Sequence, residues 1–263
     1  MDQAEGARTF AAGGDAYDSF MGRYSRPLAE RFVDVSGVGS GLTALDVGCG
    51  PGALTGVLAA RLGPESVAAV DPSPPFVTAC AARHPDVDVR AGRAEDLPFA
   101  DDTFDLALAQ LVLHFVTDAP AAVAEMARVV RPGGTVGACV WDFADGMQLL
   151  AAYWAAAVEL DPTAPDERAA MRFGRPGEIA ELLTAGGLLD VDDQMLTVES
   201  AYADFGELWA GFLAGIGPAG AHATSRTPDE QRRLAEGVFR RVGSPAAEFT
   251  LSARAHCAVG RVP

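Results

Sequence analysis

Residues 45–52 read LDVGCGPG, and this stretch decides the predicted fold. The apolar run before the glycines is typical of a buried strand, and leucines at helical spacing over residues 53–62 predict a helix directly after them. Glycines at alternate positions let the backbone bend tightly and approach a ligand closely. Asp71 ends the next apolar run, where a carboxylate can accept two hydrogen bonds from a ribose diol. These residues predict a nucleoside site; a structural turn beside an exposed acid is the alternative interpretation.

The spacing and charge of the glycine loop indicate what kind of nucleoside it binds. A dinucleotide site has the pattern GxGxxG and holds phosphates at the helix N-terminus. Here the third glycine comes one residue early, after Pro51, and the loop contains no basic residue. Asp46 precedes the loop. These features favour a ligand without phosphates, whose tail carries an ammonium and a sulfonium.

Strand and helix patterns alternate over residues 43–143. The apolar runs that predict the first five strands are 42–47, 66–70, 87–91, 104–110 and 135–141. This alternation predicts an α/β fold, a Rossmann-like doubly wound sheet that is mostly parallel. Residues 188–198 and 248–259 predict two further strands, the final one antiparallel, and the remaining helices predict a helical cap. Residues 217–228 are expected to form a loop.

The composition excludes several classes of partner. The 263-residue chain has 36 acidic and 20 basic residues, a formal charge of −16, and every basic residue is Arg. The lack of lysine excludes a Schiff-base or P-loop lysine, and the negative charge argues against nucleic acid and acidic membranes as partners. Four separated cysteines without a CxxC pair predict reduced core residues and no metal site. We expect no signal peptide, no membrane span and a cytoplasmic protein.

Four ordered motifs carry a resemblance to a known family. They are LDVGCGPGALT, VDPS, GRAEDLPFADDTFDLALAQLVLHF and RVVRPGGTVGACVWDF. Together they resemble the motifs of class I S-adenosylmethionine-dependent methyltransferases, in the style of the ubiquinone/menaquinone and small-molecule branch. The opening YDSFMGRYSRPLAERF is similar to the N-terminal helix of that branch. The resemblance covers residues 17–143, implies S-adenosyl-L-methionine as the cofactor, and is silent on the acceptor.

The resemblance implies roles for the glycine loop and the two acids beside it. Gly48, Gly50 and Gly52 line the methionine part of the cofactor, and the Gly48 carbonyl receives its ammonium group. Asp46 supports the loop from its strand. Asp71 holds both ribose hydroxyls.

The other implied contacts are with the adenine ring and the sulfonium. Pro72 flanks the adenine, Ala94 donates its backbone N–H to the ring, and Gln110 lies beside the sulfonium. Arg93 occupies a position that is often acidic in the family, so Glu95 is the alternative contact for the adenine amino group. The N-terminal helix is expected to close over the cofactor with Tyr17, Tyr24 and Arg26, although these residues also suit an ordinary amphipathic helix.

The predicted elements, together with the resemblance, divide the chain by function. We expect a single methyltransferase domain over residues 1–263. Its parts are N-terminal cap helices (1–40), a cofactor-binding core (41–143), acceptor-side helices and a cap with a strand near 188–198 (144–246), and the last strand (247–263).

His114 is the candidate catalytic residue. Methyl transfer from a sulfonium is an in-line displacement, so the protein supplies alignment and a dry pocket, and a base helps only if the acceptor loses a proton. His114 follows the fourth strand, and an imidazole of pKa about 6.5 can take a proton near neutral pH. A structural histidine at the end of a strand is the alternative. His84 and His222 are expected in solvated turns, and His256 in the last strand.

Aromatic residues after the fifth strand are candidates for an acceptor pocket. Those assigned to substrate binding are Trp141, Trp154, Phe173 and Trp209, with packing of the cap helices as the alternative. The predicted reaction is methyl transfer to the O, C or N atom of a small, partly apolar molecule, by a monomer or homodimer. The alternatives are a nicotinamide-dependent oxidoreductase, which the early third glycine and the missing lysine disfavour, and a protein that binds S-adenosylmethionine for another purpose.

Overall fold

A seven-stranded sheet forms the framework of the computed structural model, which describes residues 18–144, 146–169 and 171–263. The strand order is β3-β2-β1-β4-β5-β7-β6. The strands are β1 (Ala44–Val47), β2 (Val67–Asp71), β3 (Asp88–Ala91), β4 (Phe104–Gln110), β5 (Val130–Trp141), β6 (Leu189–Tyr202) and β7 (Phe249–Arg261). Neighbouring strands from β3 to β5 run parallel. Every residue of β1 and β2 is buried, as expected for parallel strands covered on both faces.

The last strand runs against its neighbour. At one end of β7, Val262 exchanges backbone hydrogen bonds with Gly133 and Gly134, and at the other end Arg254 accepts from the Asp142 N–H. Sequence numbers that rise along β5 therefore fall along β7, so the pair is antiparallel. The predicted α/β class, with a mostly parallel sheet and an antiparallel final strand, is confirmed.

Helices connect the strands, and several begin at a recognisable cap. They are α1 (Arg23–Val35), α2 (Ala53–Leu62), α3 (Pro74–Arg83), α4 (Ala119–Val129), α5 (Gln148–Leu160), α6 (Glu178–Ala185), α7 (Phe205–Leu213), α8 (Gly217–Thr224) and α9 (Pro228–Arg241). Asp118 caps α4 by accepting a hydrogen bond from the Ala121 N–H. Thr227 and Glu230 form a capping box at the start of α9. A π-helical turn, Asp18–Gly22, precedes α1.

Two sequence expectations about these elements are wrong. Residues 217–228 do not form a loop, because α8 occupies most of that segment; its alanines favour a helix, and five of its eight residues are buried. The fifth strand begins at Val130 and not at residue 135. The strand starts earlier because Val130 pairs with Phe104 of β4, and Gly133 and Gly134 form backbone hydrogen bonds with Val262 after the last strand.

The chain divides into two compact units. The larger unit comprises Ser25–Val140, Arg172–Leu196 and Ala255–Pro263. The smaller unit combines Trp141–Met171 and Thr197–Arg254 with the described end of Met1–Tyr24. The predicted functional division of one domain into four parts stays a prediction. The four cysteines are buried and free, as expected.

Over the described residues, no helix combines the length and apolarity that crossing a membrane requires.

Candidate functional site

The glycine loop between β1 and α2 has a backbone that glycine alone accommodates easily. Gly48, Gly50 and Gly52 have φ values of 74°, 52° and 97°. A Cβ atom on Gly48 would lie 2.5 Å from a methyl group of Val112, and one on Gly52 would lie 2.7 Å from the His84 ring. A Cβ on Gly50 would meet no atom within 4 Å. The outer two glycines are therefore required by packing, whereas the middle one leaves open space beside the backbone.

Asp71 ties this loop to the end of β2. Its side chain is buried, and its two carboxylate oxygens accept hydrogen bonds from the backbone N–H groups of Gly50 (2.9 Å) and Ser73 (2.8 Å). Burial raises the pKa of Asp71, and the two backbone donors oppose that shift. Each carboxylate oxygen has a further lone pair. The carboxylate can therefore accept the two additional hydrogen bonds that a ribose diol donates.

Asp46 links β1 to the helix that follows the loop. Its side chain is 1% exposed, and one carboxylate oxygen accepts a 2.6 Å hydrogen bond from the Thr55 hydroxyl in the first turn of α2. Burial raises the pKa of Asp46 to about 7, with a smaller contribution from the charge of Asp71, while the Thr55 hydrogen bond opposes the shift. This contact joins β1 to α2, and the role of Asp46 in supporting the cofactor loop stays a prediction.

Two residues at the end of α3 hold the loop from its other side, and the sequence interpretation missed them. Nε2 of His84 lies 3.0 Å from the Gly52 carbonyl, so this nitrogen carries the proton and donates. Arg83 donates to the Pro51 carbonyl at 3.1 Å. The expectation of a solvated His84 is wrong, because the ring is half-buried beside Gly52 and Gly56. The carbonyl groups of the loop need hydrogen-bond donors from other segments, and this requirement was the only signal in the sequence that pointed to such residues.

Gln110 presents a buried acceptor at the end of β4. Its Nε2 donates to the Ser25 carbonyl at 3.0 Å, which fixes the orientation of the amide. Its Oε1 is buried and has no hydrogen-bond partner within residues 18–144, 146–169 and 171–263. Leu111, the next residue, has a φ of 61°, unusual for a residue other than glycine. A buried acceptor without a partner is suited to a ligand donor.

His114 lies in the segment after β4, as expected, and is buried. Burial and the positive charge of Arg172 lower the pKa of His114 to about 3, so its imidazole is uncharged at neutral pH. Arg172 holds this segment by donating to the carbonyls of Leu113 and Val116. No local sequence pattern links this arginine to His114, because it lies 58 positions further along the chain.

Side chains in the segment expected to contact the adenine ring form hydrogen bonds and an ion pair within the chain. Arg93 is mostly exposed and pairs with Glu95 at 3.1 Å. Glu95 also accepts a 3.1 Å hydrogen bond from the Thr117 N–H. Ala94 is buried. The Glu95 carboxylate therefore has partners within the chain, and the contacts of these residues with adenine stay predictions.

The three expected N-terminal residues have different surroundings. Tyr17 lies outside the described residues. Tyr24 is fully buried in the smaller unit, where its hydroxyl lies 3.0 Å from that of Tyr202 and burial raises its pKa. Arg26, on α1 of the larger unit, is exposed.

The aromatic candidates for acceptor binding differ in how their polar atoms are used. Nε1 of Trp141 is buried without a partner among the described residues, whereas Nε1 of Trp154 donates to Glu167 at 2.8 Å. Trp209 stacks at 6.5 Å on Phe205, which precedes it on α7. These tryptophans belong to the smaller unit. Phe173, in the larger unit, lies 5.2 Å from the Arg172 guanidinium and has a φ of 61°.

His222 is the second histidine whose surroundings were wrongly expected. It is buried in α8, and its Nδ1 lies 2.8 Å from the Tyr153 hydroxyl. Burial lowers its pKa, with a further contribution from Arg226. His256 lies in β7, as expected, and is buried.

The residues around the glycine loop fit the cofactor that the motifs imply. The open space at Gly50 lets a ligand reach the backbone. Asp71 and Gln110 offer buried acceptors for hydroxyl or ammonium donors, and no basic side chain is present in the loop to bind phosphate. The set suits a cationic nucleoside better than a pyrophosphate.

Comparison with known proteins agrees with this assignment. A family model described as a methyltransferase domain matches residues 45–138. The nocamycin O-methyltransferase of Saccharothrix syringae is 32% identical to this chain over 225 residues, which are 75% of this chain and 78% of that protein. This identity, extending over three quarters of both chains, means that they belong to the same family.

Two solved structures share the fold. The phosphoethanolamine N-methyltransferase 2 of Haemonchus contortus, in complex with phosphomonomethylethanolamine and S-adenosylhomocysteine, superposes with a TM-score of 0.56 at 15% identity, covering 90% of this chain and 52% of that chain. The cyclase SpnF superposes with a TM-score of 0.51 at 19% identity, covering 90% and 80%.

The family match decides between the two cofactors that the sequence left open. The relative identified by sequence is a methyltransferase, and the matching model spans the glycine loop and Asp71. A nicotinamide-dependent enzyme is therefore set aside. The chain belongs to the class I S-adenosylmethionine-dependent methyltransferases, and S-adenosyl-L-methionine is its cofactor.

Proposed function

We propose that this methyltransferase acts on a small, partly apolar molecule and methylates an O, C or N atom. The observation that supports the cofactor part of the proposal is the position of the Asp71 carboxylate. It accepts hydrogen bonds from Gly50 and Ser73 beside a glycine loop that contains no basic residue to bind phosphate. Support for a small acceptor comes from the nocamycin O-methyltransferase, whose name describes methylation of an oxygen.

The residues of the larger unit would bind and orient the cofactor. When bound, S-adenosyl-L-methionine supplies an electrophilic methyl group on its sulfonium. Asp71 would accept hydrogen bonds from both ribose hydroxyls, and the backbone at Gly50 would lie against the methionine tail. Gln110 Oε1, fixed by the Ser25 carbonyl, would accept a hydrogen bond from the ammonium or lie against the sulfonium. Each of these groups is oriented before a ligand arrives, which lowers the entropic cost of binding.

His114 would handle the proton of an acceptor that has one to lose. An uncharged imidazole can accept a hydrogen bond from a hydroxyl or amine, and the low pKa of His114 keeps it uncharged at neutral pH. An oxygen that gains a methyl group before losing its proton becomes strongly acidic. A base with a pKa of about 3 is then strong enough to receive that proton.

Among the acceptor-side candidates Trp141 is the best supported. Its indole N–H is buried and unpartnered among the described residues, and such a donor is costly unless a ligand or water accepts from it. Trp154 has already used its N–H on Glu167, so packing accounts for it without a ligand. Phe173 and Trp209 stay proposals for apolar contact with the acceptor.

The test measures S-adenosylhomocysteine release across phenols, quinols, amines and carboxylic acids. We expect release with at least one class, and loss of that release in Asp71→Ala. Binding of S-adenosylmethionine without methylation of any class would contradict the small-molecule proposal while leaving the cofactor site intact. The Trp141→Phe variant removes the N–H but keeps an aromatic ring; it is expected to raise the KM for the acceptor and to leave cofactor affinity unchanged.

A further inference from the structure

A partly open pocket in the smaller unit lies outside every residue assigned to methyl transfer. It is formed by α5, α8 and α9 and the turns at their ends. The residues that line it are Ala157, Leu160, Asp161, His222, Arg226, Glu230, Arg233 and Leu234.

Part of the pocket lining is apolar. Ala157 and Leu234 are buried lining residues, and Leu160 is 39% exposed, one of few large apolar side chains on the described surface with that much exposure. A hydrocarbon chain laid on these residues would remove apolar surface from water. The pocket therefore has a place for the apolar part of a ligand.

The lining also includes two arginines whose side chains form no ion pair with any described residue. Within the described residues, neither Arg226 nor Arg233 has a carboxylate oxygen within 4 Å, and the one hydrogen bond of the Arg226 guanidinium runs to the Ser225 hydroxyl at 3.3 Å. By contrast Arg232, one position from Arg233, pairs with Asp229. Guanidinium groups are well suited to bind carboxylates in a bidentate manner.

The two acids of the pocket are engaged in local structure. Asp161 accepts hydrogen bonds from the backbone N–H and hydroxyl of Thr163 at 2.8 and 2.6 Å. Glu230 accepts from the same two groups of Thr227, at 2.8 and 2.7 Å, in the capping box of α9. The Thr227 hydrogen bonds lower the pKa of Glu230, and the nearby charges of Arg226 and Arg233 lower it further. Both carboxylates are held by their turns and form no direct ion pair with either arginine among the described residues, so the guanidinium N–H groups can still donate to a ligand.

We propose that this pocket is a second ligand site, which binds a small amphiphilic carboxylate. The carboxylate bridges Arg226 and Arg233, and the hydrocarbon part lies on Leu160 and Leu234. His222 lines the pocket and contacts Tyr153, which stacks at 4.4 Å on Phe212 of α7, so one residue of the pocket lies against the aromatic core of the smaller unit. The site is independent of the proposed acceptor, because none of the proposed acceptor contacts lines it.

Calorimetry on the full chain with octanoate tests the site. Octanoate is expected to bind saturably at millimolar concentration, and acetate and 1-octanol, which each lack one half of the ligand, about ten-fold more weakly. Arg226→Gln and Arg233→Gln should each weaken octanoate binding about ten-fold. Arg232→Gln is the matched control on the same helix and should leave it unchanged. Leu160→Gln should weaken octanoate binding and leave acetate binding unchanged.

Three results would overturn the proposal. They are no saturable octanoate binding, equal losses in the Arg232 and Arg233 variants, or equal affinity for octanoate and 1-octanol. All substitutions lie on exposed or half-buried positions, and thermal melting checks that each variant is folded.

Discussion

Replacing Asp71 by Ala separates the two tasks of this carboxylate. In the cofactor-free protein the change removes hydrogen bonds from the Gly50 and Ser73 N–H groups, each to a charged acceptor. Hydrogen bonds to charged groups contribute roughly 1.5–3 kcal/mol each, and water can reach the open space at Gly50 to replace part of that loss. We therefore expect the free energy of unfolding to fall by about 2–4 kcal/mol.

The same variant should bind S-adenosylmethionine more weakly. Loss of two hydrogen bonds from the ribose to a buried carboxylate costs roughly 1–3 kcal/mol, which is about a 5- to 150-fold increase in Kd. Calorimetric titration of the folded variant measures this directly, below its melting temperature. Asp88→Asn, an exposed acid on the neighbouring strand, serves as the control and should change Kd little. An Asp71→Ala protein with lowered stability and a Kd within two-fold of the wild type would refute the ribose assignment, because only the loop contacts would then matter.

Three further substitutions have clear expected outcomes. Gly48→Ala places a Cβ 2.5 Å from Val112 at a φ of 74°, so chemical denaturation should show a loss of about 1–3 kcal/mol, whereas Gly39→Ala, with no atom within 4 Å, should show little. His114→Ala should lower the turnover of an acceptor that loses a proton and keep the Kd of the cofactor; full turnover would make His114 structural. Glu167→Gln should remove a pH dependence of stability. Burial raises the pKa of Glu167 from 4.5 to about 7. The contribution of this residue to the free energy of unfolding is therefore fully present below about pH 4.5 and is lost as the pH rises through 7. The difference in the free energy of unfolding between the two proteins should change by about 3 kcal/mol between pH 4.5 and 8, with the Gln variant the more stable at high pH. The same pH dependence of stability in both proteins would contradict the buried carboxylate.

The order of elements around the glycine loop could be predicted because its signals are local. The glycines, the apolar run before them and the acid after the second strand lie within residues 45–71, so spacing alone relates them. The segment after α7 was harder to predict. Glycine and proline at its start favour a turn, but burial of α8 outweighs that local preference.

The missed contacts are tertiary. Arg172 reaches the carbonyls of Leu113 and Val116 across more than 50 positions of sequence, and no local pattern connects these residues. The sequence around His222 predicts a solvated turn, whereas in the structure α8 places this histidine against Tyr153. Positions such as these depend on how distant segments pack, which hydrophobic periodicity does not encode.

The imidazole of His84 occupies a slot whose walls are two glycines one turn apart. A Cβ on Gly52 or on Gly56 would lie 2.7 or 2.8 Å from ring atoms, and the ring also donates to the carbonyl of the first. The three positions can therefore not vary one at a time. A methyl group at Gly56 becomes tolerable only once the ring is replaced by something smaller, which leaves the Gly52 carbonyl without its donor. A methyl group at Gly52 stays strained even then, because the backbone there has a φ of 97°. Substitutions here should be strongly non-additive, and in the course of evolution these sites would have to change together or stay as they are.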